Sequence, residues 1–453
     1  MSSQKQVESS GDGQSSTSIP QLNESSCIAQ EKETSFSQSL RGDRRRILGY
    51  YARCYLIAIV VILSLIGIYW GSIYRREDRF TKMKIAVVNW DGRDSDYLSA
   101  NSLKPWVGDS IVSNLPSGVL GWEVRSDLVN SSFQDVRSLV HERYYWGAIV
   151  IKQNATESLH KALASADPEA ELTGIVEAIY EQATDLTATG SYLVPGLQNL
   201  KDIYETSVQS EVYEALLKTL NSTQLTALVN RAPNLLSPAE HFVINDYLPC
   251  QSLTLLAPMQ IGLMFLLIVS FFQFGLFMPV HGSIARKISR HQYILYRIGA
   301  AHITYFIFSL FFCLGSVAFQ IDTSVAFGKS GFLVLWMATF LGMSALGGAS
   351  ENMALLITAY APELLGFWLV LWAVSNLSPA FGPITLCPDF YRYGYALPLY
   401  NILELERVVF CDTTKRLMGR CFGVLVAWVV VNNLLLPITL TINARKMAKR
   451  SKA

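Results

Sequence analysis

The sequence CYLIAIVVILSLIGIYWGSIY, residues Cys54 to Tyr74, decides the fold class because it contains no charged side chain. A helix needs roughly 20 consecutive apolar residues to cross about 30 Å of hydrocarbon, and this segment meets that length. A cleaved secretory signal would have a shorter apolar core nearer the N-terminus. We therefore predict a first transmembrane helix at 54–74 that stays in the mature protein.

Apolar segments also fill most of the chain from 258 to 442. The chain is 51% hydrophobic and 16% charged, whereas an average soluble domain has about 25% charged residues. Together with 54–74, these segments predict an α-helical polytopic membrane protein with about six transmembrane helices, one plus five. We place the five later helices at 258–280, 298–319, 331–350, 361–378 and 421–442.

Basic residues predict the orientation of these helices. Arginine and lysine recur in the loop from His281 to Arg297 and in the C-terminal tail at 443–453. Because cytosolic loops carry an excess of Lys and Arg, both segments are predicted to be cytosolic. The polar residues 1–53 end in a basic run and are predicted to form a disordered tail on the same side.

Alternate threading of the helices then places 75–257 and the loop 379–420 on the external side. The basic residues between Arg75 and Lys84 are the exception, since they follow the first helix directly on that side. The formal net charge is only +1, with 37 basic and 36 acidic residues. This balance gives no indication of a nucleic-acid partner.

The external segment 75–257 is predicted to be an α+β domain. Short β-branched runs at Ile85–Asn89 and Trp146–Ile151 are typical of strands. Helical spacing of apolar residues occurs at Ser132–Arg143, Ala170–Ala183 and Gln198–Leu220.

Covalent features of the external side can also be predicted. Three Asn-X-Ser/Thr sequons make Asn130, Asn154 and Asn221 glycosylation candidates, and they support an extracellular or lumenal face. Among the seven cysteines, Cys387 and Cys411 are the pair that we expect to form a disulfide in an oxidising compartment.

Two carboxylates near the fourth and fifth segments allow two interpretations. Glu351 and Glu363 flank an apolar stretch that Pro362 interrupts, and we place this stretch at the cytosolic face. The alternative is an embedded broken helix with a functional carboxylate, because ionisable groups at membrane depth usually have a role.

No catalytic motif or metal-ligand spacing can be recognised. HExxH and GxSxG are absent, and Gly328-Lys329-Ser330 is not a phosphate-binding loop because residue 323 is Thr. The sequence therefore predicts a protein that is not an enzyme and has no cofactor, metal site or catalytic residue.

Several small or polar side chains lie inside apolar segments. The small residues between Gly342 and Ser350 predict close helix packing, and Asn432 and Asn433 predict hydrogen bonds between helices. The tyrosine-rich stretch Phe390–Asn401 is expected to form an amphipathic lid on the outer membrane surface.

The run Tyr393-Gly394-Tyr395-Ala396-Leu397-Pro398-Leu399-Tyr400-Asn401 resembles the fungal nitrosoguanidine-resistance family of multi-pass membrane proteins. Four other stretches resemble this family too: Ile85–Asn89, Trp146–Ile151, Ala257–Leu263 and Gly423–Trp428. The residues that carry the resemblance most clearly are Pro258, Gly262, Tyr393, Gly394, Tyr395, Pro398, Asn401 and Trp428.

This resemblance implies a plasma-membrane protein that contributes to resistance to toxic compounds. It would act by exporting small amphipathic molecules or by regulating lipid distribution between leaflets, with membrane lipids and small amphipathic drugs or metabolites as partners. A homo-oligomer is compatible with this function. The layout is similar to bacterial phage-infection proteins and to permease subunits of type-2 ABC exporters. The alternatives are thus a permease that needs a separate ATPase and an anchored external ligand-binding domain.

Overall fold

The computed structural model describes residues 41–237, 240–250 and 252–450. The predicted disordered tail lies outside the described residues up to residue 40, and its last part is wrong because the chain is helical from Arg41. The part of α1 up to Val60 and the chain from Val61 onward are separate compact units. All contacts described below lie in the second unit.

The described residues form fifteen α-helices and one five-stranded sheet. The helices are α1 (Arg41–Ile73), α2 (Asp96–Ala100), α3 (Trp106–Ser113), α4 (Phe133–His141), α5 (Ala155–Ser165), α6 (Leu186–Ala188), α7 (Val194–Ser207), α8 (Tyr213–Leu217), α9 (Ser222–Arg231), α10 (Leu263–Ala285), α11 (Arg290–Ala318), α12 (Gly331–Tyr360), α13 (Leu365–Leu377), α14 (Pro398–Cys411) and α15 (Met418–Arg450). The strands are β1 (Lys84–Asn89), β2 (Gly121–Val124), β3 (Gly147–Ile151), β4 (Val176–Tyr180) and β5 (Phe242–Asp246).

Five helical segments of the described chain are long and apolar enough to cross a membrane, and they agree with five of the six predicted spans. They are Arg44–Ile73, Leu253–Ala285, Arg290–Ala318, Gly328–Tyr360 and Lys415–Lys449. The remaining prediction, 361–378, corresponds to α13, which has only 13 residues. At a rise of about 1.5 Å per residue, α13 alone is too short to cross the hydrocarbon.

Helix boundaries show that the predicted loop at 281–297 and the predicted C-terminal tail are largely helical. α10 ends at Ala285 and α11 begins at Arg290, so most of the predicted loop from 281 to 297 is helical. Arg297, which we counted as a loop charge, is a buried residue of α11. The predicted tail from 443 likewise continues α15 to Arg450. Basic residues in these stretches do not interrupt a helix because Lys and Arg have high helix propensity.

The sheet belongs to a domain at residues 77–250, here called the sheet domain. Its strand order is β2-β1-β3-β4-β5, and all pairs are parallel except β3 with β4. The strands predicted at 85–89 and 146–151 are confirmed as the central β1 and β3. Every residue of β3 is buried, which agrees with a continuous apolar run covered on both faces.

The helices predicted at 132–143 and 198–220 are present as α4 and as α7 with α8, but Ala170–Ala183 is not a helix. Its second half forms β4, which pairs with β3 and β5. A short apolar run is compatible with either structure, and here the strand-favouring Ile175, Val176 and Ile179 are buried in the sheet.

The tyrosine-rich stretch Phe390–Asn401, predicted to form an amphipathic lid, divides into two parts: Phe390 and Tyr395 are exposed, whereas Leu399 and Asn401 are buried in α14. After a 3₁₀ helix at Asp389–Ala396, α14 is almost entirely buried and packs against α12, α13 and α15. Leu386 is completely buried in the core of the sheet domain. The loop at 379–420 therefore joins the sheet domain to the helices from α10 onward, here called the membrane domain.

The disulfide predicted between Cys387 and Cys411 is absent from the structure. Both side chains are buried free thiols. The Cys387 thiol donates to the carbonyl oxygen of Pro383 at 3.6 Å, whereas Cys411 ends α14. Burial raises the pKa of the Cys387 thiol and raises that of Cys411 to about 12, so both thiols are held in their unreactive protonated form.

Candidate functional site

The membrane domain contains one buried ion pair between two of its long helices. The guanidinium of Arg297 in α11 donates to the carboxylate of Glu351 in α12. Their side chains are only 1% and 3% exposed. Glu351 is therefore buried within the continuous helix α12, which ends at Tyr360 before Pro362, so the helix around this carboxylate is not broken. Glu363 is exposed in the turn that precedes α13.

Polar side chains extend this pair toward α15. Asn352 donates to the carbonyl oxygen of Asn432 at 3.0 Å, and Asn432 donates to that of Ala345 at 2.9 Å. Thr439 donates to the Asn352 side-chain oxygen at 2.8 Å. These bonds cross between α12 and α15, as predicted for Asn432. Asn433 lies 3.4 Å from His302 of α11.

Small residues allow α12 to approach its neighbours closely. A Cβ atom at Gly347 would lie 2.2 Å from the Tyr305 hydroxyl of α11, which is too close for any side chain. The predicted role of the small residues in helix packing is therefore confirmed. The remaining space beside the pair is about 10 Å³, which holds at most one water molecule.

A second charged cluster joins the sheet domain to the membrane domain. It contains Arg143 and Asp185 of the sheet domain and Glu404 and Arg407 of α14. Arg143 donates to Glu404, and Arg407 donates to Glu404 at 2.8 Å and to Asp185 at 2.9 Å. The four side chains are between 4% and 15% exposed. We call this set the junction network.

Local backbone structure positions the two sheet-domain members. Arg143 follows α4 with a φ of 59°, a left-handed conformation that costs a non-glycine residue on the order of 1 kcal/mol. Asp185 is the N-cap of α6, where its Oδ1 accepts a bond from the backbone N–H of Ala188 at 2.9 Å. Its Oδ2 remains available for Arg407.

The carboxylates of the network have their oxygens occupied, but Arg143 has spare donors. Burial alone would raise the pKa of Glu404, yet Arg143 and Arg407 hold it below its usual range. Glu404 therefore stays ionised. The Nε and Nη2 atoms of Arg143 are buried and have no hydrogen-bond partner in the described part of the chain.

A cavity of about 270 Å³ opens beside the junction network. Its lining combines four arginines, two carboxylates and several tyrosine and threonine side chains. The charged residues are Arg143, Arg407, Arg416, Arg420, Asp185 and Glu404, and the hydroxyl residues are Tyr145, Tyr395, Tyr400, Thr184 and Thr385. The cavity therefore has two more cationic than anionic groups.

Arg416 and Arg420 are the two exposed arginines that line this cavity. Both lie at the beginning of the span Lys415–Lys449. Arg416 stacks on Tyr144 at 4.4 Å and is 3.8 Å from Glu142. Arg420 lies over Tyr395 at 5.4 Å and has no carboxylate within 4 Å among the described residues.

Residues of the loop at 380–385 form another part of the cavity wall. Gly382 is packed against Arg76, because a Cβ atom there would lie 2.8 Å from the Arg76 Nη2. The Arg76 side chain also donates to the Tyr192 hydroxyl at 3.2 Å and to the Ser72 carbonyl oxygen at 3.3 Å. A guanidinium thus lies directly behind this wall.

The predicted family-motif residues mainly position the loop. Tyr393 donates to the Ser375 carbonyl oxygen at 3.1 Å, and Trp428 donates to that of Ala396 at 2.7 Å. Asn401 donates to the Leu397 carbonyl oxygen at 2.8 Å. Of the eight motif residues, Tyr395 lines the cavity, and the other seven do not: Pro258, Gly262, Tyr393, Gly394, Pro398, Asn401 and Trp428.

The three sequons differ in accessibility. Asn130 and Asn221 are exposed, and Asn221 caps α9 by accepting a bond from the N–H of Gln224. Asn154 is half-buried, and Thr156 of its sequon is completely buried and donates to Asp91 at 2.6 Å. All three candidates lie in the sheet domain.

The junction network is not predicted by the sequence pattern. The signal was present in α14, because Glu404, Glu406 and Arg407 stand in an otherwise apolar stretch and buried charges require partners. The sheet-domain partners are 222 and 261 positions away along the chain, so only the fold could identify them.

Comparisons with known proteins give the family. The chain matches the family described as "Protein of unknown function (DUF3533)" over residues 54–434. The chain belongs to this family. It is similar to the "Uncharacterized endoplasmic reticulum membrane protein YJR015W" of Saccharomyces cerevisiae, with 33% identity over 432 residues, 92% of this chain and 84% of that protein.

No solved structure matches the chain. The comparisons and the five apolar helices together establish a fungal-type, multi-pass membrane protein. They do not extend to nitrosoguanidine resistance. Among the described residues, no group of three or more His, Cys, Asp or Glu side chains is arranged to hold a metal ion.

Proposed function

We propose that this protein is a non-enzymatic membrane protein that contributes to resistance to toxic compounds by handling amphipathic molecules at the membrane surface. Export of such molecules and redistribution of lipid between leaflets are the two forms of this function. The observation that supports the proposal is the junction cavity, whose wall is built from the sheet domain and the membrane domain together.

A jointly built cavity favours this function over an anchored external binding domain. Arg143, Thr184 and Asp185 come from the sheet domain, whereas Arg407 and Arg420 come from α14 and α15. A sheet domain that acted alone would not need half of its site from membrane helices. Ligand pockets at domain interfaces are also common, because relative movement of two domains can open and close them.

The chemistry of the cavity favours binding over catalysis. Its two carboxylates are both engaged with arginines, so neither is a free general base. Its hydroxyl groups have no neighbouring histidine in the lining. An arginine-rich surface with aromatic side chains is suited to hold an anionic group beside an apolar body.

We further propose that the protein resides in the plasma membrane, with residues 75–257 outside the cell. Its yeast relative is named as an endoplasmic reticulum protein. The lumen of that compartment and the cell exterior are topologically equivalent, so the sheet domain would face the same side in either membrane.

A deletion strain tests the proposed function. We expect the strain to become more sensitive to amphipathic toxic compounds or to expose more aminophospholipid at the cell surface, and wild-type protein should restore both properties. Complementation with Arg416→Gln/Arg420→Gln should fail, whereas Arg392→Gln should succeed because Arg392 lies outside the cavity. Unchanged drug sensitivity and unchanged leaflet labelling would contradict the proposal. Repeated co-purification of an ATPase would instead support the permease alternative.

A further inference from the structure

The positive charge of the junction cavity is arranged in two layers. In the inner layer, Arg407 is fully engaged by Asp185 and Glu404, while Arg143 keeps two donor atoms without partners. In the outer layer, Arg416 and Arg420 are exposed. The two Arg143 donors are enclosed in the protein, so the inner layer supplies positive charge and the outer layer supplies the accessible donors.

A phosphate group matches this arrangement better than a neutral polar group. It offers several oxygens to donors that approach from different directions, and a phosphate monoester carries about −1.5 to −2 charges at pH 7. Of the four arginines that line the cavity, Arg420 has no carboxylate partner among the described residues and Arg416 has only Glu142 at 3.8 Å, and the planar fork of arginine pairs well with phosphate oxygens. Its volume of about 270 Å³ is below the range of about 300–1,000 Å³ for drug-sized ligands, so a headgroup fits better than a whole drug.

The location of the cavity brings it to the level of lipid headgroups. Arg416 and Arg420 lie at the start of the last span, and the lining residues at 380–385 follow the end of the apolar helix α13 by a few positions. Tyr395 and Tyr400 complete the wall, and tyrosine is favoured at the membrane interface. Basic pockets between transmembrane helices bind anionic lipid headgroups on the cytoplasmic side of other membrane proteins, and the same pairing of cation and phosphate is available to a cavity on either side.

We propose that the junction cavity binds a phosphate group, carried by a lipid headgroup or by a small soluble ester. This inference rests on the proposed function and specifies its ligand chemistry. Arg416 and Arg420 contact the phosphate, Arg143 adds positive charge behind them, and Arg407 keeps the inner carboxylates neutralised. The acyl chains of a bound lipid remain in the bilayer beside α15.

Equilibrium titration of the purified full-length protein in a neutral detergent tests this site. The probes are dihexanoyl phosphatidic acid, dihexanoyl phosphatidylcholine and glycerol 3-phosphate. We expect saturable binding of phosphatidic acid that is at least about tenfold tighter than that of phosphatidylcholine, because the latter is neutral overall. Arg416→Gln/Arg420→Gln should weaken phosphatidic acid binding by about tenfold or more.

The matched control is Arg392→Gln/Lys415→Gln, which removes two exposed cationic groups of the same loop that do not line the cavity. It should change the affinity by less than about twofold. Equal binding of glycerol 3-phosphate and phosphatidic acid would support a soluble ester as the ligand, and much tighter binding of phosphatidic acid would support a lipid. Raising the salt concentration should weaken wild-type binding, which tests the site without any variant.

Three results would overturn the inference: no saturable binding of any phosphate probe, equal affinity for phosphatidic acid and phosphatidylcholine, or an unchanged affinity in Arg416→Gln/Arg420→Gln. The deletion strain separates this outcome from failure of the proposed function. If wild-type protein restores resistance but binds no probe, only the phosphate site is wrong. If the probes bind but deletion has no phenotype, the site stands and the resistance function is wrong.

Discussion

The membrane domain and the domain junction use the same pair of residue types, arginine and glutamate, with different results. Arg297 and Glu351 form a closed pair with about 10 Å³ of space beside it. Arg143 and Glu404 belong to a network that borders a cavity of about 270 Å³. Buried charge alone therefore does not identify a ligand site. Exposed arginines beside an open cavity are what distinguish the junction.

The closed pair should give the largest loss of stability. Glu351→Gln leaves the guanidinium of Arg297 buried beside a neutral group, and breaking a buried pair typically costs about 3–5 kcal/mol. We expect a large drop in the thermal unfolding midpoint of the detergent-solubilised protein, with less monodisperse material on size-exclusion chromatography.

Glu363→Gln is the matched control, because Glu363 is an exposed carboxylate close to the C-terminal end of the same helix. Its effect should be within about 0.5 kcal/mol. Replacing both partners, as in Arg297→Met/Glu351→Met, should recover part of the stability because neither charge is then left alone. A midpoint for Glu351→Gln equal to that of wild type would mean that the pair contributes nothing to folding.

In the junction network, the equivalent change Glu404→Gln should lower the stability of the protein and raise its affinity for phosphatidic acid. Glu404→Gln removes the shared partner of Arg143 and Arg407, but Arg407 keeps Asp185, so we expect a loss of about 2–3 kcal/mol. The same change raises the positive charge of the cavity and should tighten phosphatidic acid binding by a few-fold.

Glu351→Gln provides the comparison for that second effect, because it should lower stability without changing phosphatidic acid affinity. If Glu404→Gln destabilises the protein but leaves binding unchanged or weaker, the cavity does not bind anions through its net charge. The two measurements therefore separate a structural role of the network from its role in the site.

The sheet domain contains a different kind of buried polar group, a neutral histidine that belongs neither to an ion pair nor to the cavity. His241 is 2% exposed, and burial lowers its pKa to about 4. As the pH falls below about 6.5, the unfolded chain gains a proton that the folded protein does not accept, so stability decreases until about pH 4. At pH 5 this amounts to about 1–2 kcal/mol.

Thermal unfolding at pH 7 and at pH 5 measures this effect. His241→Phe should reduce the difference between the two midpoints, because the neutral ring cannot titrate. The exposed His291 provides the control, and His291→Gln should behave like wild type at both pH values. An unchanged pH dependence in His241→Phe would show that other groups dominate.

The sequence predicted the features that depend on local pattern. Charge-free apolar length identified five spans, and β-branched runs identified the two central strands, because each signal is contained within one segment. The helix prediction at Ala170–Ala183 was wrong because β4 pairs with two neighbouring strands, and this pairing outweighs the helical spacing of the apolar residues. Tertiary contacts also explain α14. The tyrosine-rich stretch that precedes it predicts a position at the membrane surface, but the helix itself is buried against its neighbours.

The candidate site could be predicted only in part. The charged residues of α14 can be identified from the sequence, but their partners Arg143 and Asp185 cannot. Glu351 could be read as a surface residue because its partner, Arg297, lies in a stretch that the sequence favours as a loop. In each case the physical property is the pairing of two distant residues, and a single sequence contains no information about distance.

Glycosylation gives the smallest energetic effect, but it tests which side of the membrane the cavity faces. If the sheet domain is external, Asn130→Gln should remove one glycan-sized step of gel mobility, because Asn130 is exposed. Asn154→Gln should leave mobility unchanged, since the Thr156 of that sequon is buried and hydrogen-bonded to Asp91. Asn130→Gln should change stability by less than about 0.5 kcal/mol. A wild-type protein whose mobility does not respond to endoglycosidase would contradict the external placement, and the arginines of the cavity would then contact the cytosolic leaflet.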